Sequence, residues 1–192
     1  MKTGEVRLLL SVAIGNTRIT AGEETVLGKT GAAELDMARA YLSDGTTFDG
    51  SGDPVNALAS FLYAFGWLHF GCRYGTLENG MRSPPCPFSR PLARLPPAAA
   101  PKLTEKTVRY QRLLATARSS VSCAADPSVR QHGFAGQVLR VAEAYNIRGD
   151  WLLQELRYED ALASFSYGHG WLDAGVMAGL YVITDEREIF TV

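Results

Sequence analysis

Residues 57–75 match residues 161–179 at a constant offset of 104, with 11 of the 19 positions identical. The identities include Ala57/Ala161, Phe61/Phe165, Tyr63/Tyr167, Gly66/Gly170, Trp67/Trp171, Gly71/Gly175 and Gly75/Gly179. Without a gap, the same offset pairs Leu35 with Leu139, Ala38 with Ala142, Tyr41 with Tyr145 and Gly45 with Gly149. It reaches back to Leu9/Leu113, Leu10/Leu114 and Ala13/Ala117. Self-similarity at one fixed spacing marks a tandem duplication, so what one copy folds into, the other must fold into as well.

Between the copies the composition changes. Seven of the nine prolines lie in residues 79–101. Proline fixes φ and removes a backbone donor, so this stretch is expected as an extended linker between domains. The chain then divides into a first copy at 1–78, a Pro-rich basic linker at 79–101, a second copy at 102–183 and a tail at 184–192. In the second copy Tyr110, Leu113, Leu114, Ala117 and Val121 recur at helical spacing. Asp126-Pro127 resembles an N-cap and first-turn proline opening a second helix that runs to about residue 155. A third helix is expected over about 158–182, with Leu162, Phe165, His169, Leu172, Val176 and Leu180 along one stripe. The first-copy equivalents are 5–14, 23–50 and 54–77. Strand character is confined to 189–192, and the expected fold class is all-α with three helices per copy.

Each third helix carries three of the repeated glycines: Gly66, Gly71 and Gly75, then Gly170, Gly175 and Gly179. An interior glycine costs about 1 kcal/mol relative to alanine. Close approach of a neighbouring backbone is the expected reason, with a glycine-floored ligand cleft as the rival. Pairing of the two copies through or beside their third helices, within one monomeric chain, is the arrangement this spacing favours.

The run from Tyr158 to Gly175, Tyr-Glu-Asp-Ala-Leu-Ala-Ser-Phe-Ser-Tyr-Gly-His-Gly-Trp-Leu-Asp-Ala-Gly, resembles the third helix of the archaeal domain-of-unknown-function family 357. The first copy resembles it through Ala38-Arg39-Ala40-Tyr41-Leu42-Ser43-Asp44, Gly52-Asp53 and Val55-Asn56-Ala57. The resemblance implies an up-and-down three-helix bundle in each copy, joined by the Pro-rich linker, and an archaeal source. It implies no activity. The first copy departs from the pattern with Phe65 opposite His169 and His69 opposite Asp173.

Chemistry-bearing groups are sparse. His169 and Asp173, at i and i+4, share a helix face and suit an oriented imidazole or half a metal site, but two ligands are too few for a metal. His69 with Cys72 is weaker still. Phosphate-cradling glycine loops and a nucleophile elbow are absent from the sequence. No catalytic residue, metal or cofactor is therefore expected. Tyr63, Trp67, His69, Tyr167, His169, Trp171 and Asp173 form the candidate binding surface, against the bland reading that His169 is a core or boundary histidine tied to Asp173 and with core or inter-bundle burial expected for Trp67 and Trp171.

Charge is uneven although the total is -1. Residues 79–118 hold eight basic side chains and one acid, and the remaining 11 bases and 19 acids leave the rest at -8. Lys102, Lys106, Arg109 and Arg112 make a candidate polyanion stripe, with nucleic acid as a possible partner and an internally paired or solvated face as the bland reading. Three cysteines without a CxxC pair suit a reducing, cytoplasmic setting. The longest apolar stretch, 57–72, is too short for a bilayer, so no membrane partner is expected. A non-catalytic helical module for protein–protein interaction or scaffolding is the expected function. A small-ligand protein or cryptic enzyme around His169 and Asp173, and a polyanion binder, are the alternatives.

Overall fold

The computed structural model describes residues 1–81 and 85–191 and is all-α, with each copy an up-and-down bundle of three helices. The first holds α1 (Thr3–Gly15), α2 (Val26–Gly50) and α3 (Pro54–Tyr74), the second α4 (Ala100–Ser119), α5 (Arg130–Gln154) and α6 (Tyr158–Met177). Arg82 and Pro84 of the linker and Val192 of the tail lie outside the described residues.

Local chemistry sets the helix ends. Asp53 accepts a hydrogen bond from the Asn56 amide at 3.3 Å, capping α3, and Pro54 occupies its first turn. In α6 an arginine replaces the capping aspartate, and Glu159 and Asp160 supply negative charge to the first turn instead. The structure corrects the start of α5. Asp126 accepts from the Ser128 amide at 2.9 Å and from its hydroxyl, closing a local turn, and the helix begins only at Arg130. Its carboxylate is used up before a helix can claim it.

The third helices end earlier than the apolar stripe suggests. Gly75 and Gly179 adopt φ of 95° and 74°, a left-handed reversal that suits glycine and turns the chain back. Each reversal feeds a small antiparallel ribbon. β1 (Thr17–Ile19) pairs with β2 (Leu77–Asn79), and β3 (Val121–Cys123) with β4 (Tyr181–Ile183). Strand structure thus falls at the ribbons; among the described residues of the tail a 3₁₀ turn spans Arg187–Ile189 and residues 189–191 form no strand.

The two bundles meet where α3 crosses α6. A Cβ on Gly66 would stand 2.6 Å from the Tyr167 carbonyl and 3.0 Å from Cα of Gly170, while one on Gly170 would strike the Tyr63 carbonyl. Exchanging the copies maps one contact onto the other. Gly71 and Gly175 instead make room inside their own copies, for Leu77 and Tyr181 respectively. One continuous apolar core results, running from Val6 and Leu10 through Phe61, Phe65, Trp67 and Phe70 to Phe165, Trp171 and Leu172.

The proline-rich segment is tied down at residues 90–95. The Ala93 amide donates to the Met1 carbonyl at 2.8 Å, and Arg90 pairs with Glu5 at 3.1 Å. On the other side the Leu92 and Leu95 amides donate to Asp160 at 3.0 Å and Glu159 at 2.8 Å. This strap therefore joins α1 to the start of α6.

Gly170→Ala is expected to destabilise the chain by about 1–3 kcal/mol in urea unfolding, because the added methyl meets backbone. Gly133→Ala, in α5 with nothing within 4 Å of the new Cβ, should stabilise it by up to about 1 kcal/mol. Equal effects at both sites would contradict the close crossing.

Candidate functional site

The residues named as a candidate binding surface are gathered into the seam between α3 and α6, where both tryptophans are buried as expected. Tyr63, Trp67, Tyr167, His169, Trp171 and Asp173 are buried and His69 is half-buried. The cause is the crossing itself. α3 and α6 are each the inner helix of a bundle and also face each other, so little of either reaches solvent. Each tyrosine stands one turn before its tryptophan, with ring centroids 6.2 Å apart in α3 and 6.4 Å in α6.

Across the seam the polar side chains pair reciprocally. The Tyr63 hydroxyl donates to the Asp173 carboxylate of the other copy. At the position equivalent to Asp173, His69 Nδ1 meets the Tyr167 hydroxyl at 2.9 Å. Asp173 also accepts from the Thr191 hydroxyl at 2.7 Å and from its amide at 3.2 Å, which pins the tail over the seam. His169 makes no hydrogen bond to Asp173. Burial holds its imidazole below the usual histidine range, against the pull of the Asp173 charge and the Ile189 carbonyl. Burial likewise pushes His69 down to about 4, opposed by the Pro85 carbonyl. Both imidazoles are thus neutral near pH 7, and each has a buried Nε2 without a partner. Among the described residues no cluster of three His, Cys, Asp or Glu side chains could hold a metal ion.

The basic stripe is not uniform. Lys102 pairs with Asp53 of the first copy at 2.5 Å, and Lys106 is half-buried. Arg109 and Arg112 are exposed and line a groove of about 690 Å³ between α4 and the tail, which they share with Glu105 and Glu186. Leu113 and Ile189 form a wall common to this groove and a smaller cavity of about 180 Å³ beside Tyr63 and His169.

One buried ionisable group escaped sequence reasoning. Glu34 on α2 is fully buried, accepts a hydrogen bond from the Thr76 hydroxyl, and leaves its Oε1 without a partner. Burial raises its pKa to about 7. The signal was present in the repeat, because the equivalent position in the second copy is Val138.

The family model described as "Protein of unknown function (DUF357)" matches the chain twice, over residues 8–77 and 109–181. Comparison with curated proteins and with solved structures finds no match.

Glu34 sets a pH dependence whose sign is fixed. Its folded pKa lies above its unfolded value of 4.5, so its contribution is most favourable below pH 4.5 and is lost as pH rises toward 7. His69 acts oppositely, losing stability as pH falls from 6.5 toward 4. The Glu34→Gln variant should therefore gain about 2 kcal/mol on wild type between pH 5 and pH 8 in urea unfolding. A wild type and variant that stay parallel across this range would refute the assignment.

Proposed function

Because the chain belongs to the DUF357 family, two copies in tandem, and that description states no function, we propose from its surfaces that it is a non-catalytic interaction module. Its docking face lies at the C-terminal end of α5, where Ile147, Trp151 and Leu156 are 61%, 53% and 61% exposed. Ile147 and Trp151 stand one turn apart on the same face.

The observation that carries this reading is the contrast with the first copy. Ser43, Thr47 and Gly52 occupy the equivalent positions, so the bundle does not need apolar residues there. Leu156 sharpens the contrast, because it adopts φ of 57° where Gly52 has 80°. A left-handed conformation costs a non-glycine residue about 1–2 kcal/mol, and the second copy keeps a large exposed side chain at that site despite the cost. An exposed indole beside aliphatic neighbours is the anchor type that dominates binding energy at protein interfaces. The partner fitted to it is a protein with an apolar cleft. The unpaired Cys72, Cys86 and Cys123 agree with a reducing compartment, and we place the module in the cytoplasm.

Trp151→Ala should leave stability within about 0.5 kcal/mol, as expected for a surface substitution. Copurification from the native host followed by mass spectrometry should recover a stoichiometric protein with the wild-type chain and lose it with this variant. A wild-type chain recovered alone, or a partner retained equally by Trp151→Ala, would overturn the proposal.

A further inference from the structure

The second copy half-buries an aromatic ring from the strap that nothing among the described residues matches in the first copy. Tyr145 and Tyr167 pack with centroids 4.4 Å apart and planes at 50°. Phe88 lies against both, 5.0 Å from Tyr145 and edge-on to Tyr167 at 5.1 Å and 89°. The Arg148 guanidinium, bonded to Ser164, covers the Phe88 ring at 4.6 Å.

Tyr41 and Tyr63 repeat the tyrosine pair in the first copy, again 4.4 Å apart and at 53°. Among the described residues, no phenylalanine packs on these two as Phe88 packs on theirs. The space beside them is the cavity of about 180 Å³, lined also by Ser60, Tyr110, His169 and Thr191. Ser60 is the counterpart of Ser164, whereas Asp44 replaces the covering arginine and does not line the cavity. Arg148 thus has no equivalent over the first-copy tyrosines.

Size and chemistry both point to a ring. A cavity of about 150 Å³ accommodates benzene, so this one has room for a single six-membered ring with a small substituent. The chain itself shows what such a tyrosine pair accepts, since the twin pair holds a phenyl group. His169 is 5% exposed, forms part of the wall, and has a ring nitrogen without a hydrogen-bond partner.

We propose that the Tyr41/Tyr63/His169 cavity is a binding site for a small planar aromatic ring, seated against the two tyrosines as the Phe88 ring is against their twins. The site is formed by both copies together, with α2 and α3 on one side and α4, α6 and the tail on the other. It is separate from the Trp151 face, and neither proposal depends on the other.

The test is a titration of the full chain followed by nuclear magnetic resonance, with phenol and cyclohexanol as probes. Phenol should saturate with a Kd of about 1 mM or tighter, shifting the Tyr41 and His169 ring signals and leaving Trp151 unmoved. Cyclohexanol, of similar size but not planar, should bind at least about tenfold more weakly. Ser60→Phe, which places a phenyl group in the cavity as Phe88 does in its twin, should abolish phenol binding if it folds. Failure of phenol to shift Tyr41 or His169 in the wild-type chain would overturn the proposal. So would binding of cyclohexanol as tightly as phenol.

Discussion

The crossing of α3 over α6 at Gly66 and Gly170 is the contact on which the rest of the molecule depends. With no Cβ on either residue, each helix comes within contact of the other's backbone carbonyl. Such an approach merges two small cores into one. Trp67, Phe61, Phe65, Phe70 and Phe165 are then excluded from solvent almost completely, and burying a large apolar side chain contributes about 1.5–3 kcal/mol. A three-helix unit on its own would leave one side of its third helix uncovered. The fused pair covers both, and Tyr63 and Tyr167 find their hydroxyl partners, Asp173 and His69, on the opposite copy.

Much of this was legible in the sequence. The offset of 104 that aligns the copies also separates the bounds of α2 from those of α5, and the start of α3 from that of α6. The repeated glycines announced a close approach, although only Gly66 and Gly170 serve the crossing, while Gly75 and Gly179 reverse the chain. What the sequence could not reveal was which side of α3 and α6 faces outward, because a helix packed on nearly every side is apolar on nearly every side. The interior tyrosines, tryptophans and His169 could therefore be grouped as a candidate surface even with burial of the tryptophans expected. Three-residue strands are too short to show an alternating pattern, which hid the ribbons. The order of the strap rests on backbone amides meeting Glu159 and Asp160, more than 60 residues away, and no local pattern carries that information.

The crossing gathers the candidate site residues. Tyr63, His69, Tyr167 and Asp173 do come together, but as partners across the seam. His169 lines a cavity whose other walls, Tyr41, Ser60 and Tyr110, belong to three different helices and were not grouped by any spacing. Arg109 and Arg112 reach that neighbourhood from outside, whereas Lys102 is engaged with Asp53.

Joining the copies covalently also frees them from symmetry. In an association of identical chains every substitution appears twice, so a carboxyl group at the place of Glu34 would be buried in both halves, and the residue facing each seam tyrosine would have to be the same. Here position 34 is Glu while its twin is Val138, and the seam tyrosines face His69 on one side and Asp173 on the other. The single polypeptide behaves as a heterodimer whose subunits evolve separately. One half can remain a plain packing unit while the other acquires new chemistry, without the change being imposed on both.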